Sequence, residues 1–132
     1  METIKSFTDL PQSKTLSTIL PPESADMVYI ATTNDDIGDY LYTAMHKSEF
    51  IIREDDEDCI PCWSLAALLD NIPHVKLESI ERNGKLQWIC YSFFNTVLHG
   101  KKVLDWRNSD LCDNLVDACY DIILQLHNSK NS

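Results

Sequence analysis

Cys59-Ile60-Pro61-Cys62 is the spacing in this sequence that most directly names a reaction, because two thiols three positions apart can cycle between dithiol and disulfide. If Pro61 opens a helix, the unpaired N–H groups of the first turn favour a thiolate there. Glu54-Asp55-Asp56-Glu57-Asp58 runs directly ahead of it, however, and like charge raises a thiol pKa. Cys59 and Cys62 are therefore carried as redox candidates beside the ordinary reading, in which Cys62 is a packing thiol and Cys59 a loop thiol. Structural zinc would need a second close ligand pair. Cys112 and Cys119 are seven apart, and His46, His74, His99 and His127 are scattered singly. The acidic run lacks the spaced ligands and glycine of a calcium loop. Neither G-x-S-x-G, nor a glycine-rich phosphate loop, nor H-E-x-x-H occurs. No catalytic residue, metal ligand or cofactor is expected, and the chain reads as a non-enzyme.

The rest of the composition bounds the partner. Twenty-one acidic against eleven basic residues give a net charge of −10, which repels phosphate backbones and anionic lipid. Direct nucleic-acid and membrane partners are disfavoured, another protein is the expected partner, and self-association stays open. No apolar run approaches the roughly 18 residues that span a bilayer. The first residues lack an apolar leader core, and five cysteines are an odd count, so reduced thiols and a cytoplasmic location are expected. At 132 residues the chain is sized for one domain, read as an N-terminal half over 1–50, an acidic loop over 51–60 and a helix–hairpin–helix half over 61–132.

The elements that must position any site follow from period and punctuation. Asp9 can cap a helix over Pro11 to Leu20, stopped by Pro21-Pro22. Met27 to Ile30 is β-prone. Ile37 to Lys47 fits strand or helix, with the spacing of Ile37, Leu41, Ala44 and Met45 tipping it to helix. Phe50-Ile51-Ile52 reads as a short strand. Pro61 and the spacing of Leu65, Leu68, Leu69 and Ile72 predict a buried helix over 61–72, with Trp63 on it. Asn83-Gly84 is a type I′ hairpin turn between Val75–Arg82 and Lys85–Phe94. Thr96 to Leu104 could add a third strand around Gly100. Asp110 could cap a last helix to His127, with Cys112, Leu115, Val116, Cys119, Ile122, Ile123 and Leu126 in one stripe. The sum is an α+β fold: a small antiparallel sheet on a central hairpin, packed against two or three helices.

Pairing Arg82 with Lys85 across the turn sorts the hairpin into two faces. Val75, Leu77, Leu86, Trp88 and Cys90 form a core face for the last helix. The other face mixes Ile80, Ile89, Tyr91 and Phe93 with His74, Lys76, Glu78 and Gln87. That face is too aromatic to be plainly solvated and too charged for a core. Either residues 1–50 cover it, the simpler reading, or Ile89, Tyr91 and Phe93 are a protein-binding patch.

Four stretches also carry a resemblance: Pro61-Cys62-Trp63-Ser64-Leu65-Ala66-Ala67-Leu68-Leu69, Glu23-Ser24-Ala25-Asp26-Met27, Asn114-Leu115-Val116-Asp117-Ala118-Cys119-Tyr120 and Leu10-Pro11-Gln12-Ser13-Lys14. In that order the chain resembles a family of small proteins from gut anaerobes related to Bacteroides, often encoded by phage or other mobile elements. The family pattern reads P-C-W-S-L or P-A-W-S-L, which implies that Cys62 is replaceable by alanine and that Cys59 lies outside the pattern. It implies a source and an architecture but no activity. The expected function is thus an accessory protein of a mobile element that binds another protein. The alternatives are an acidic nucleic-acid mimic that inhibits a nuclease or defence protein, its carboxylates standing in for phosphates, and a C-x-x-C redox protein.

Overall fold

A computed structural model of the chain describes residues 5–34, 39–47 and 59–130, which fall into two compact units. One is Phe7–Ala67 and the other is Leu68–Ser132 with Met1–Ser6. The division between the units falls at Ala67 and Leu68, inside a helix. The α+β class holds, but with two three-stranded antiparallel sheets in place of one.

In the first unit Asp9 caps α1 (Leu10–Leu16) through a capping box with Gln12, and Pro11 lies in the first turn. The helix stops short of Leu20. Ser17 and Thr18 turn their hydroxyls back onto the carbonyls of Lys14 and Thr15, a local competition that weakens helix continuation. A 3-10 turn over Pro22–Ser24 leads into β1 (Met27–Asn34). β2 (Asp39–His46) pairs along the whole of β1, so the expected helix over 37–47 is overturned: a ladder of backbone bonds outweighs apolar spacing in a segment of β-prone residues. β3 (Cys59–Cys62) pairs with the other side of β1, giving the order β2-β1-β3. Pro61 is thus a strand residue and not the start of a helix, tolerated because β3 is an edge. The helix expected over 61–72 shrinks to α2 (Leu65–Asp70), and Trp63 lies ahead of it. The expected strand at Phe50–Ile52 falls outside the described residues. Met27, Tyr29 and Cys62 form the core of the sheet, with Phe7, Leu10, Ala44 and Ile60 packed on them.

In the second unit the hairpin has the expected register: β4 (Val75–Arg82) meets β5 (Lys85–Leu98) with Arg82 opposite Lys85. Asn83 and Gly84 take φ of 52° and 76°, as a type I′ turn requires. His99 and Gly100 repeat the device at φ 53° and 78°. The third strand is therefore β6 (Lys101–Asn108), and the span 96–104 straddles a turn. After β6 the chain returns along β5, where Trp88 and Cys112 exchange both backbone bonds. Residues up to Cys112 are held in this bridge, and the last helix, α3 (Leu115–Lys130), begins later than expected. Its cap is Asn114, whose side chain accepts from the Asp117 N–H, and not Asp110. α3 packs on β5 and buries Val116, Cys119, Ile122 and Ile123. Cys90 is buried on the core face of β5, whereas Leu86, near the turn, remains half exposed.

Candidate functional site

Three of the stretches that carry the resemblance, over 10–14, 23–27 and 61–69, are fastened together. Trp63 is 0% exposed, and its indole N–H donates to the Ser24 hydroxyl at 3.0 Å. The Asp26 carboxylate accepts the Ser64 N–H at 2.9 Å and the Ser64 hydroxyl, while Ser64 Oγ accepts the Ala67 N–H at 3.3 Å. Ser64 thereby caps α2 and is itself anchored. Buried Thr8 joins α1 to β3. Its hydroxyl lies 2.7 Å from Ser13 Oγ and accepts the Trp63 N–H, and its carbonyl accepts the Tyr29 hydroxyl at 2.8 Å. These residues are spent on structure.

The two candidate redox thiols lie in β3. Along a strand, residues three apart point to opposite faces and lie roughly 10 Å apart, too far for a disulfide. Burial pushes the Cys62 thiol above its ordinary value, and hydrogen bonds with Thr8 and Ser13 only partly offset this. The remaining thiols resemble packing groups as well. Cys90 and Cys119 hydrogen-bond across β5 and α3, which lowers the pKa of the first and raises that of the second. Burial pushes Cys112 up to about 11, assisted by the charges of Asp121, Asp117, Asp110 and Asp113. Among the described residues no three His, Cys, Asp or Glu side chains gather as a metal site, and no helix is long and apolar enough to cross a membrane.

The outer face of the second sheet is different. Tyr91, Phe93 and Trp106, with Lys76 and Glu78, line a shallow groove of about 230 Å³. Register explains the gathering: Tyr91 lies opposite Lys76 on β4, and Phe93 lies opposite Trp106 on β6. The Tyr91 and Trp106 rings are tilted at 53° with centroids 5.9 Å apart, within the range of a favourable aromatic pair. Partial burial raises the Tyr91 hydroxyl pKa, and the neighbouring Glu78 carboxylate, its hydrogen-bond partner, raises it further. Trp106 is nevertheless 52% exposed, with Leu104 and Val97 exposed beside it. Of the three residues singled out from the sequence, Tyr91 and Phe93 line the groove, while Ile89, opposite Glu78, is half-buried outside it. Trp106 was missed. Its signal was His99-Gly100: counting outward from that turn brings Trp106 opposite Phe93.

Charge is segregated too. Residues 75–108 carry six Lys or Arg against three Asp or Glu, a local net charge of +3 in a chain of −10. A search of protein families, of curated proteins and of solved structures finds no match for the chain.

Proposed function

We propose that the chain is a non-catalytic, cytoplasmic accessory protein of a mobile element that binds another protein through the outer face of β4–β6. The observation that carries this reading is Trp106, a half-exposed indole leaning on Tyr91 above a groove with one cation and one carboxylate at its side. Exposed large aromatics with a polar rim are the usual anchors of protein recognition. The resemblance to mobile-element proteins supports the setting. The mimic reading rests on the net charge of −10, but Asp117 holds Lys5 at 2.8 Å and Asp113 holds Lys85 at 3.1 Å, so part of that charge is already answered within the chain.

Panning the full-length protein against a displayed random-peptide library tests the reading. Selected peptides should lose about thirtyfold or more in affinity to the Tyr91→Ala or Trp106→Ala chain, the usual cost of removing an anchor. Both variants should stay folded, losing about 1 kcal/mol with the aromatic pair. Peptides that bind both variants as tightly as the parent would overturn the assignment of the face.

A further inference from the structure

β5 is 14 residues long, and its two sides are not equally served. On one side β6 pairs with Tyr91 to Leu98, and Cys112 continues the line opposite Trp88. On the other side β4 pairs only from Lys85 to Ser92. From Phe93 to Leu98, among the described residues, no strand lies on the β4 side. An unpaired strand edge presents N–H and C=O groups that template another strand, and edges are ordinarily blunted with charge. The outer edge, β6, follows that rule with Lys101, Lys102, Asp105 and Arg107. The open stretch of β5 does not: no Lys, Arg, Asp or Glu occurs between Lys85 and Lys101. Val97 is 66% exposed there, with Leu98 exposed on the opposite face.

We infer that β5 from Phe93 to Leu98 takes up an extended acidic segment of a partner protein as an added strand. The inference rests on the protein-binding reading above and names the partner's chemistry. The open edge continues the line of β4, so an added strand enters beside Lys76 and the aromatic groove. Alternate side chains of that strand share the face of Phe93 and Val97. On that face Lys76 lies in line on β4, opposite Tyr91, and Lys102 lies across β5, opposite Val97 and about 10 Å from the added strand, a gap that a lysine and a glutamate side chain reach across together. A second copy is a poorer occupant, because edge-to-edge pairing of two such strands brings Lys76 and Lys102 of both copies to one face. A nucleic acid offers no peptide groups to complete the ladder, and Glu78 in the groove repels phosphate.

The test uses the full-length chain and fluorescein-labelled octapeptides, read by fluorescence anisotropy. One peptide alternates Glu and Val, one alternates Lys and Val, and one is the Glu–Val peptide N-methylated at every backbone amide, which keeps its charges but has no N–H left to pair on either edge. The Glu–Val peptide should bind, the other two at least tenfold more weakly. Its affinity should fall tenfold or more in the Lys102→Glu chain, whose change is at an exposed position and leaves the fold intact, and should weaken with added salt. Equal binding of the N-methylated peptide overturns strand addition. Equal binding of the Lys–Val peptide overturns the acidic partner. Tighter binding of a ten-residue oligothymidylate, or a dimer by sedimentation that excludes the Glu–Val peptide, replaces the occupant and overturns the inference. Panned peptides that need Trp106 yet bind the Lys102→Glu chain unchanged leave the protein-binding reading standing and remove this one; panning that yields no binders removes both.

Discussion

Trp63 and Trp106 stand beside the two sheets in opposite circumstances. Trp63 is wholly enclosed, its N–H is answered by Ser24, and the next residue both caps α2 and is gripped by Asp26. Trp106 is half exposed on a sheet face, with one ring neighbour and a groove at its side. The difference teaches where to look for function. The first region satisfies its own polar groups, and no buried side-chain N or O among the described residues lacks a hydrogen-bond partner. The second leaves apolar area and local positive charge exposed on one sheet. The stretches that look most like signatures are the internal fastenings, and the surface available for binding carries no motif.

Breaking the first region should cost the most stability. Trp63→Ala should destabilise the protein by about 3 to 5 kcal/mol, the range for truncating a large buried aromatic, as measured by denaturant unfolding. A small loss comparable to that of Trp106→Ala would erase the contrast between the two tryptophans.

Tyr29 sharpens the contrast through pH. Burial, assisted by the charges of Cys62 and Asp9, pushes its hydroxyl up from 10.0 to about 12. The folded pKa of this acid is raised, so the unfolded chain releases the proton first. The stabilisation is whole below pH 10 and is lost as pH rises from 10 towards 12, by about 2 to 3 kcal/mol in all. Unfolding midpoints compared at pH 9 and pH 11.5 should show this drop, and Tyr29→Phe should flatten it. An equal drop in the variant would place the responsible group elsewhere. Ser64→Ala is the mildest of the three, expected to cost about 1 kcal/mol through loss of the α2 cap. The measurement is the same, and a neutral result would show that the Asp26–Ser64–Ala67 chain of hydrogen bonds contributes no net stability.

Local chemistry was legible wherever it decided the outcome by itself. Asp9 and Pro11 mark the start of α1, Asn83-Gly84 sets the register of β4 with β5, and the stripe from Val116 to Ile123 marks the buried side of α3. That Tyr91 and Phe93 share a face was legible for the same reason, since alternation on one strand needs no knowledge of the rest. Misreadings occurred where a distant partner decided. Residues 39–46 are a strand because β1 lies alongside, and Cys59–Cys62 is a strand because the other side of β1 was vacant. Asn114 rather than Asp110 caps α3 because Trp88 detains Cys112 in a bridge.

The α+β class, the first hairpin and its register, and the alternation that puts Tyr91 and Phe93 on one face follow from local chemistry, because capping, turn conformation and side-chain period act over a few residues. Long-range pairing sets the division into two sheets, the place of the C-x-x-C thiols on a strand, and the meeting of Trp106 with Tyr91 and Phe93 along one groove. Those outcomes depend on pairing between segments far apart in the chain, and the free energy of a strand pair belongs to both partners, so neither segment carries it alone.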